Sequence, residues 1–183
     1  MIFGDSMLKY IDAEKLSPNT QSENRCDPGS RIDSLIERLI SARGEKENCK
    51  VTDVIIHSGT NNIPGISSGK LINKIGEALH VAQQTYTNAI IHFSPIIPKK
   101  DEANLKICDE INGTIEKLCG FKGNNYNFLH TRGLFVRSGK VNWDRLSRHD
   151  KLHLSRSGVV AMGKHIKYAI HRVEGSHPPP YSP

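Results

Sequence analysis

Met1-Ile2-Phe3-Gly4-Asp5-Ser6 opens the chain: an apolar run stops at a glycine, and an acidic residue and a serine follow on the turn. The run reads as a buried strand and the turn as its carboxyl end. The pattern recurs downstream. A short strand ends near Arg25-Cys26. Thr52 to His57 is an apolar run leading into Gly59-Thr60-Asn61-Asn62, Ala89 to Phe93 stops at Ser94-Pro95, and Tyr126 to Leu129 is the last such run. Helical spacing lies between them. Ile32, Leu35, Ile36, Leu39 and Ile40 recur at i, i+3, i+4, i+7 and i+8 within 31–42. Leu71, Ile75, Leu79 and Ala82 mark a helix starting at Ser67 or Ser68 and ending near Tyr86, with either serine suited to cap it. Leu105, Cys108, Ile111, Ile115 and Leu118 mark a third helix over 102–119, and Ser155 precedes a closing helix over 157–171. Five strands alternating with helices predict an α/β fold, a three-layer α/β/α sandwich around a mostly parallel sheet. One domain over 1–172 is expected, followed by a disordered proline-rich tail over 173–183.

In a parallel sheet the loops after the strands meet along one edge, where ligands bind. Ser6 follows the first strand, Gly29 the second and Asn61 the third. Asp150-Lys151-Leu152-His153 follows the last strand and precedes the closing helix. All four pieces therefore fall on one edge. A serine nucleophile needs an imidazole to take its proton and a carboxylate to hold that imidazole's tautomer. An i, i+3 spacing can join Asp150 to His153 on a single turn. Alone, Gly-Asp-Ser is an ordinary turn and Asp-x-x-His a polar loop; the ordered set is what points to acyl transfer.

With these blocks the chain resembles the SGNH (GDSL-type) hydrolases, whose four segments contribute a Ser, a Gly, an Asn and a His. The corresponding pieces are Gly4-Asp5-Ser6, Gly29, Gly59-Thr60-Asn61-Asn62 and Asp150-Lys151-Leu152-His153, so the resemblance runs to about Ile170. Met7-Leu8-Lys9-Tyr10, Pro28-Gly29-Ser30-Arg31-Ile32 and the run from Thr131 to Gly163 further resemble the SGNH domains of some animal retrotransposons. The resemblance implies a flavodoxin-like fold and a serine esterase cleaving short acyl, acetyl-type esters through an acyl-enzyme. It implies Ser6 as an exposed nucleophile, His153 as general base, Asp150 as its partner, and an oxyanion hole from the Ser6 and Gly29 N–H groups and the Asn61 amide. No cofactor is implied. Asn62 departs from the aspartate usual in the family, which predicts altered loop support and leaves a degenerate, non-catalytic domain as the alternative. Met1–Phe3 is short for a first strand of this kind, as a start trimmed or excised from a larger polyprotein would be.

The 183 residues, 37% apolar and 24% charged, describe an ordinary globular chain. Without an apolar run of membrane-spanning length or a hydrophobic leader, the expected location is the cytoplasm. Cys26, Cys49, Cys108 and Cys119 form no Cys-x-x-Cys pair and read as reduced thiols, and the Asn112-Gly113-Thr114 sequon has no role in that compartment. The net charge of +6 gathers at Lys99-Lys100, Arg137 to Lys140 and Arg145 to Lys151. These clusters read as solvated surface that admits weak contact with nucleic acid or anionic lipid, without a stacking platform of aromatics. The expected partner is a small ester or a lipid-derived one.

Competing motifs are weaker. His149 and His153 have a metal-like spacing but no third ligand, and His57 and His92 lie in buried-strand patterns, so no metal is expected. Gly65 to Lys70 is one residue short of a phosphate loop and is followed by Leu71 where Ser or Thr is required. Gly-x-Ser-x-Gly is absent, which excludes the ordinary α/β-hydrolase elbow. Trp143 reads as a core or loop anchor.

Overall fold

The structure is a computed structural model that describes residues 1–17, 21–98 and 103–171, apart from the side chain of residue 103. The Lys99-Lys100 cluster and the tail expected over 173–183 lie outside these residues. Strands β1 (Ile2–Gly4), β2 (Asn24–Cys26), β3 (Asp53–His57), β4 (Ile90–Phe93) and β5 (Tyr126–Phe128) form one sheet in the order β2-β1-β3-β4-β5. Every pairing in it is parallel. That order reverses direction between β1 and β3, where a doubly wound sheet leaves a crevice at its carboxyl edge.

Alternation along the strands divides the apolar residues between two cores. Phe3, Val54, Ile56, Ile91 and Phe93 face helices α2 (Ile32–Ser41), α3 (Ser68–Thr85) and α4 (Ala103–Cys119). Ile2 and Ile55 face the other way, with Leu16 of α1 (Ala13–Leu16), Leu134 and Phe135 of α5 (Arg132–Phe135) and Met162 and Ile166 of α6 (Arg156–Ile170). This is the three-layer sandwich. In α2 the spacing places Ile32, Leu35, Ile36 and Leu39 inside, while Ile40 is turned outward at 46% exposure. Ser67 caps α3 by accepting the Lys70 N–H at 3.4 Å, and Ser155 caps α6 by accepting the Gly158 N–H at 3.1 Å. In α4, Cys108, Ile111, Ile115 and Cys119 are buried, whereas Leu105 and Leu118 reach only its margin.

The segment between β5 and α6 is more built than its sequence pattern indicates. After α5 the strands β6 (Val136–Arg137) and β7 (Lys140–Val141) form an antiparallel hairpin. A 3-10 turn at Trp143–Arg145 follows, and Leu146 and Leu154 then pair across a bridge. Among the described residues no helix is long and apolar enough to cross a membrane.

Candidate active site

β1 ends at Gly4, and the chain turns at once. Asp5 is fully buried; its N–H donates to the His57 carbonyl at 3.2 Å, and its Oδ1 accepts the Met7 N–H at 2.8 Å. This local side-chain-to-backbone bond makes the turn that carries Ser6. Ser6 keeps only 6% of its surface exposed, so it sits at the bottom of the crevice and not on an open elbow, as the sequence suggested. Its neighbours Met7 and Leu8 are both buried in the second core.

Gly29 occupies the third position of a turn in which the Ser30 N–H donates to the Asp27 carbonyl at 3.1 Å. Pro28 precedes it, and its own φ is +80°, the type II arrangement that calls for glycine. A Cβ at Gly29 would meet nothing within 4 Å. Backbone conformation, not crowding in the free protein, is therefore what requires glycine here.

Asn61 follows β3 and bridges the other two segments. Its Nδ2 donates to the Ser30 carbonyl at 3.0 Å and to Asp5 Oδ2 at 3.4 Å. Three of the four sequence blocks are thus tied together around Ser6. Both amide hydrogens point to protein acceptors, so an oxyanion would have to displace the longer bond, the one to Asp5. Asn62 is buried, and its Oδ1 accepts the Ile32 N–H at 3.0 Å, closing the first turn of α2 from outside the helix. The bond ties the loop after β3 to α2, and asparagine supplies the acceptor without adding a charge.

Asp150 and His153 lie on a loop that closes on itself. The Ser147 N–H donates to the His153 carbonyl at 2.7 Å and the Lys151 N–H to the Ser147 carbonyl at 2.8 Å. The neck is the buried Leu146–Leu154 bridge, reinforced by Ser155 N–H to the Arg145 carbonyl at 3.0 Å. Asp150 Oδ1 accepts the N–H groups of Leu152 at 2.8 Å and His153 at 3.1 Å, which leaves Oδ2 for His153 Nδ1 at 2.7 Å. The imidazole bond, followed by the two backbone donors, holds the Asp150 carboxyl well below the usual carboxylate range. It stays an acceptor for Nδ1–H, which leaves Nε2 unprotonated in the neutral ring. Leu154 shares the second core with Met7 and Leu8, so the residues next to His153 and to Ser6 pack into one cluster. Among the described residues no hydrogen bond joins the Ser6 hydroxyl to His153.

One contributor was marked in the sequence only as part of a turn, and another carried no signal there. Asp5 holds both the Ser6 turn and the Asn61 amide; the only hint was its place between a turn glycine and a serine. Gly158, on the first turn of α6, sits so close to the loop neck that a Cβ would overlap the Arg145 carbonyl oxygen. Ser155 Oγ and Ser157 Oγ donate to the Asp144 carbonyl at 2.7 and 2.9 Å, fastening the neck to the helix.

The two strand histidines are occupied elsewhere. His57 is buried with Nδ1 3.1 Å from Ser94 Oγ. His92 is buried between Asp53 Oδ1 at 2.9 Å and Asn127 Nδ2 at 2.9 Å. Among the described residues no three His, Cys, Asp or Glu side chains gather as metal ligands. Burial pushes the Cys26, Cys108 and Cys119 thiols up to about 12, which makes them poor nucleophiles. Trp143 packs at the margin of the second core with Lys151 Nζ 5.0 Å from its ring centroid.

A cavity of about 830 Å³ opens at the opposite edge of the sheet, among Met1, Glu23, Arg25, Glu45, Asp53 and His171. Size alone would make it the first candidate. It lies at the amino ends of the strands, however, and none of the four sequence blocks lines it.

No protein-family model matches the sequence, and no curated protein does. Solved structures match it along nearly its whole length. A Streptococcus pneumonia protein provisionally described as a platelet activating factor is 19% identical, with 93% of this chain and 82% of that one covered at a TM-score of 0.74. A lipase/acylhydrolase from Enterococcus faecalis is 16% identical, with 92% and 93% covered at a TM-score of 0.67. The esterase domain of the ZfL2-1 ORF1 protein, from a zebrafish retrotransposon, is 22% identical over 94% and 98%, but its TM-score of 0.48 is too low to argue from. The class is a flavodoxin-like α/β sandwich with its polar loops gathered at the carboxyl edge. Within that class, the chain has the SGNH hydrolase fold.

Proposed function

We propose that the protein is a serine esterase of the SGNH type, cleaving short acyl, acetyl-type esters. The observation that carries this reading is the 2.7 Å bond from His153 Nδ1 to Asp150, on the edge of the sheet where Ser6, Gly29 and Asn61 also lie. Ser6 Oγ attacks the ester carbonyl while His153 Nε2 takes its proton, and Asp150 stabilises the imidazolium so formed. The charge that develops on the carbonyl oxygen is met by the N–H groups of Ser6 and Gly29 and by the Asn61 amide. Collapse expels the alcohol, which takes the proton from His153 and leaves Ser6 acylated. Water, deprotonated by His153, then releases the acid and restores the serine. Closing of the Ser6–His153 gap on substrate binding belongs to this scheme, since catalytic hydrogen bonds often tighten only in the Michaelis complex.

Purified protein is expected to hydrolyse p-nitrophenyl acetate, and a fluorophosphonate probe to label Ser6. Labelling of another residue, or full turnover by Ser6→Ala, would remove Ser6 from its role. The unmade Ser6–His153 bond favours a second reading, a non-catalytic domain that binds nucleic acid or anionic membranes through its basic surface. Nucleic-acid binding that weakens steeply with salt, with no ester turnover, is its signature.

A further inference from the structure

The stretch from Val136 to Arg156 carries Arg137, Lys140, Arg145, Arg148, Lys151 and Arg156 against only Asp144 and Asp150, so it holds +4 of the chain's net +6. Five cations elsewhere have carboxylate partners, Lys15 with Asp12, Arg25 with Glu23 and Glu45, Lys50 with Glu47, Lys74 with Asp33, and Arg132 with Asp109, while others such as Lys9, Lys46 and Lys164 stand singly among the described residues; what sets this stretch apart is that six gather within 21 residues. Among the described residues none of these six has a carboxylate partner. Arg145 spends a donor on the Ser157 carbonyl at 2.9 Å; the other five are exposed. Asp150, the one acid within the loop, is committed to His153 and two backbone donors.

Two of these cations travel with the imidazole. Arg148 and Lys151 sit on the closed loop that holds His153. Lys151 has φ +49°, a left-handed conformation that few side-chain-bearing residues adopt, and its Nζ lies over the Trp143 ring. Like charges gathered within a few residues raise the local concentration of ions of opposite sign, anionic ligands among them. In the proposed reaction His153 passes its proton to the departing alcohol, so its loop borders the alcohol half of the ester and not the acyl half.

We propose that the ester carries a fixed negative charge, a phosphate, sulfate or carboxylate, on its alcohol half, bound by Arg148 and Lys151. This rests on the esterase reading above. The anion forms no covalent bond; it orients the leaving group toward His153. The same chemistry is offered by a small anionic alcohol and by an anionic headgroup in a lipid surface.

The test compares acetyl esters of naphthol and of a sulfonated naphthol, each corrected for its spontaneous hydrolysis, with wild type and with an Arg148→Gln/Lys151→Gln double variant. At low salt, wild type is expected to favour the sulfonate about tenfold in kcat/KM. The double variant, or added salt that shortens screening to about 3 Å, should erase most of that preference. Turnover of the neutral ester should stay within about twofold in the double variant, since neither residue touches the reacting atoms. Equal use of both esters by wild type, or a preference that survives in the double variant, overturns the proposal. So does acceleration seen only when the neutral ester is presented in phosphatidylserine vesicles, which would make the anion a surface and not part of the substrate. If wild type cleaves neither ester, or Ser6→Ala cleaves both as well as wild type, the esterase reading itself falls and this proposal with it.

Discussion

Two aspartate–histidine pairs among the described residues have nearly equal geometry and opposite circumstance. Asp150–His153 spans 2.7 Å within one turn of an exposed loop at the carboxyl edge of the sheet. Asp53–His92 spans 2.9 Å between neighbouring strands, with the imidazole 2% exposed and its second nitrogen 2.9 Å from the Asn127 amide. Among the described residues no hydrogen bond is made by Nε2 of the first pair; in the second both ring nitrogens are consumed by protein. A carboxylate beside an imidazole is thus no signature of catalysis. What separates the two is the edge they occupy and whether a nitrogen remains to move a proton.

That contrast can be broken or sharpened by substitution. Asp150→Asn is expected to lower acetyl-ester turnover by about 10⁴ while the thermal midpoint barely moves, because the carboxylate is exposed but fixes the tautomer. A loss below tenfold would mean the exposed pair is not the working one. His92→Leu should do the reverse. It leaves the Asp53 carboxylate and the Asn127 amide short of a partner inside the sheet, at a cost of about 2–3 kcal/mol in denaturant unfolding. Its kcat/KM should remain within about threefold, and a larger fall would tie the buried pair to the chemistry. Gly158→Ala attacks the exposed pair through its loop neck. The methyl group must push the Arg145 carbonyl aside, which should cost about 1–3 kcal/mol and depress turnover through displaced His153. Unaltered turnover would show that the neck does not position the loop.

The smallest effect concerns acid. Burial alone would raise the Asp53 carboxyl, but bonds from His92 and Thr52 outweigh it, and its folded value lies below the ordinary one. A depressed carboxyl stabilises the fold above its unfolded value of about 3.9, and that stabilisation fades as the pH falls through the folded value. Asp53→Asn should therefore be less stable than wild type near neutrality, with the gap closing below about pH 4. Denaturant midpoints across that range check it; a gap independent of pH would contradict the assignment.

Much of this was legible in the sequence because the relevant physics is local. Helical spacing gave α2, α3, α4 and α6, the caps at Ser67 and Ser155 stand where small hydroxyl residues precede those patterns, and Asp150 and His153 meet because three residues fit one turn. The hairpin β6–β7 escaped because two-residue strands carry no period. Its turn was marked nonetheless: Ser138 and Gly139 have φ of +48° and +75°, the two positive values a tight hairpin turn needs, and Ser-Gly is a turn dipeptide. Gly158 was opaque for a different reason. Its requirement comes from a carbonyl thirteen residues away, and nothing in its neighbours announces that contact. The burial of Ser6 likewise goes with Met7 and Leu8 turning into the second core, a tertiary event.

The 147–153 loop closes on itself, so the carboxylate and the imidazole are held to each other by bonds that do not involve the serine. Sliding it toward or away from the serine would alter one gap and leave every bond inside it intact. In the proposed scheme, engagement of the nucleophile, more than assembly of the acid–base couple, is then what an arriving ester must bring about.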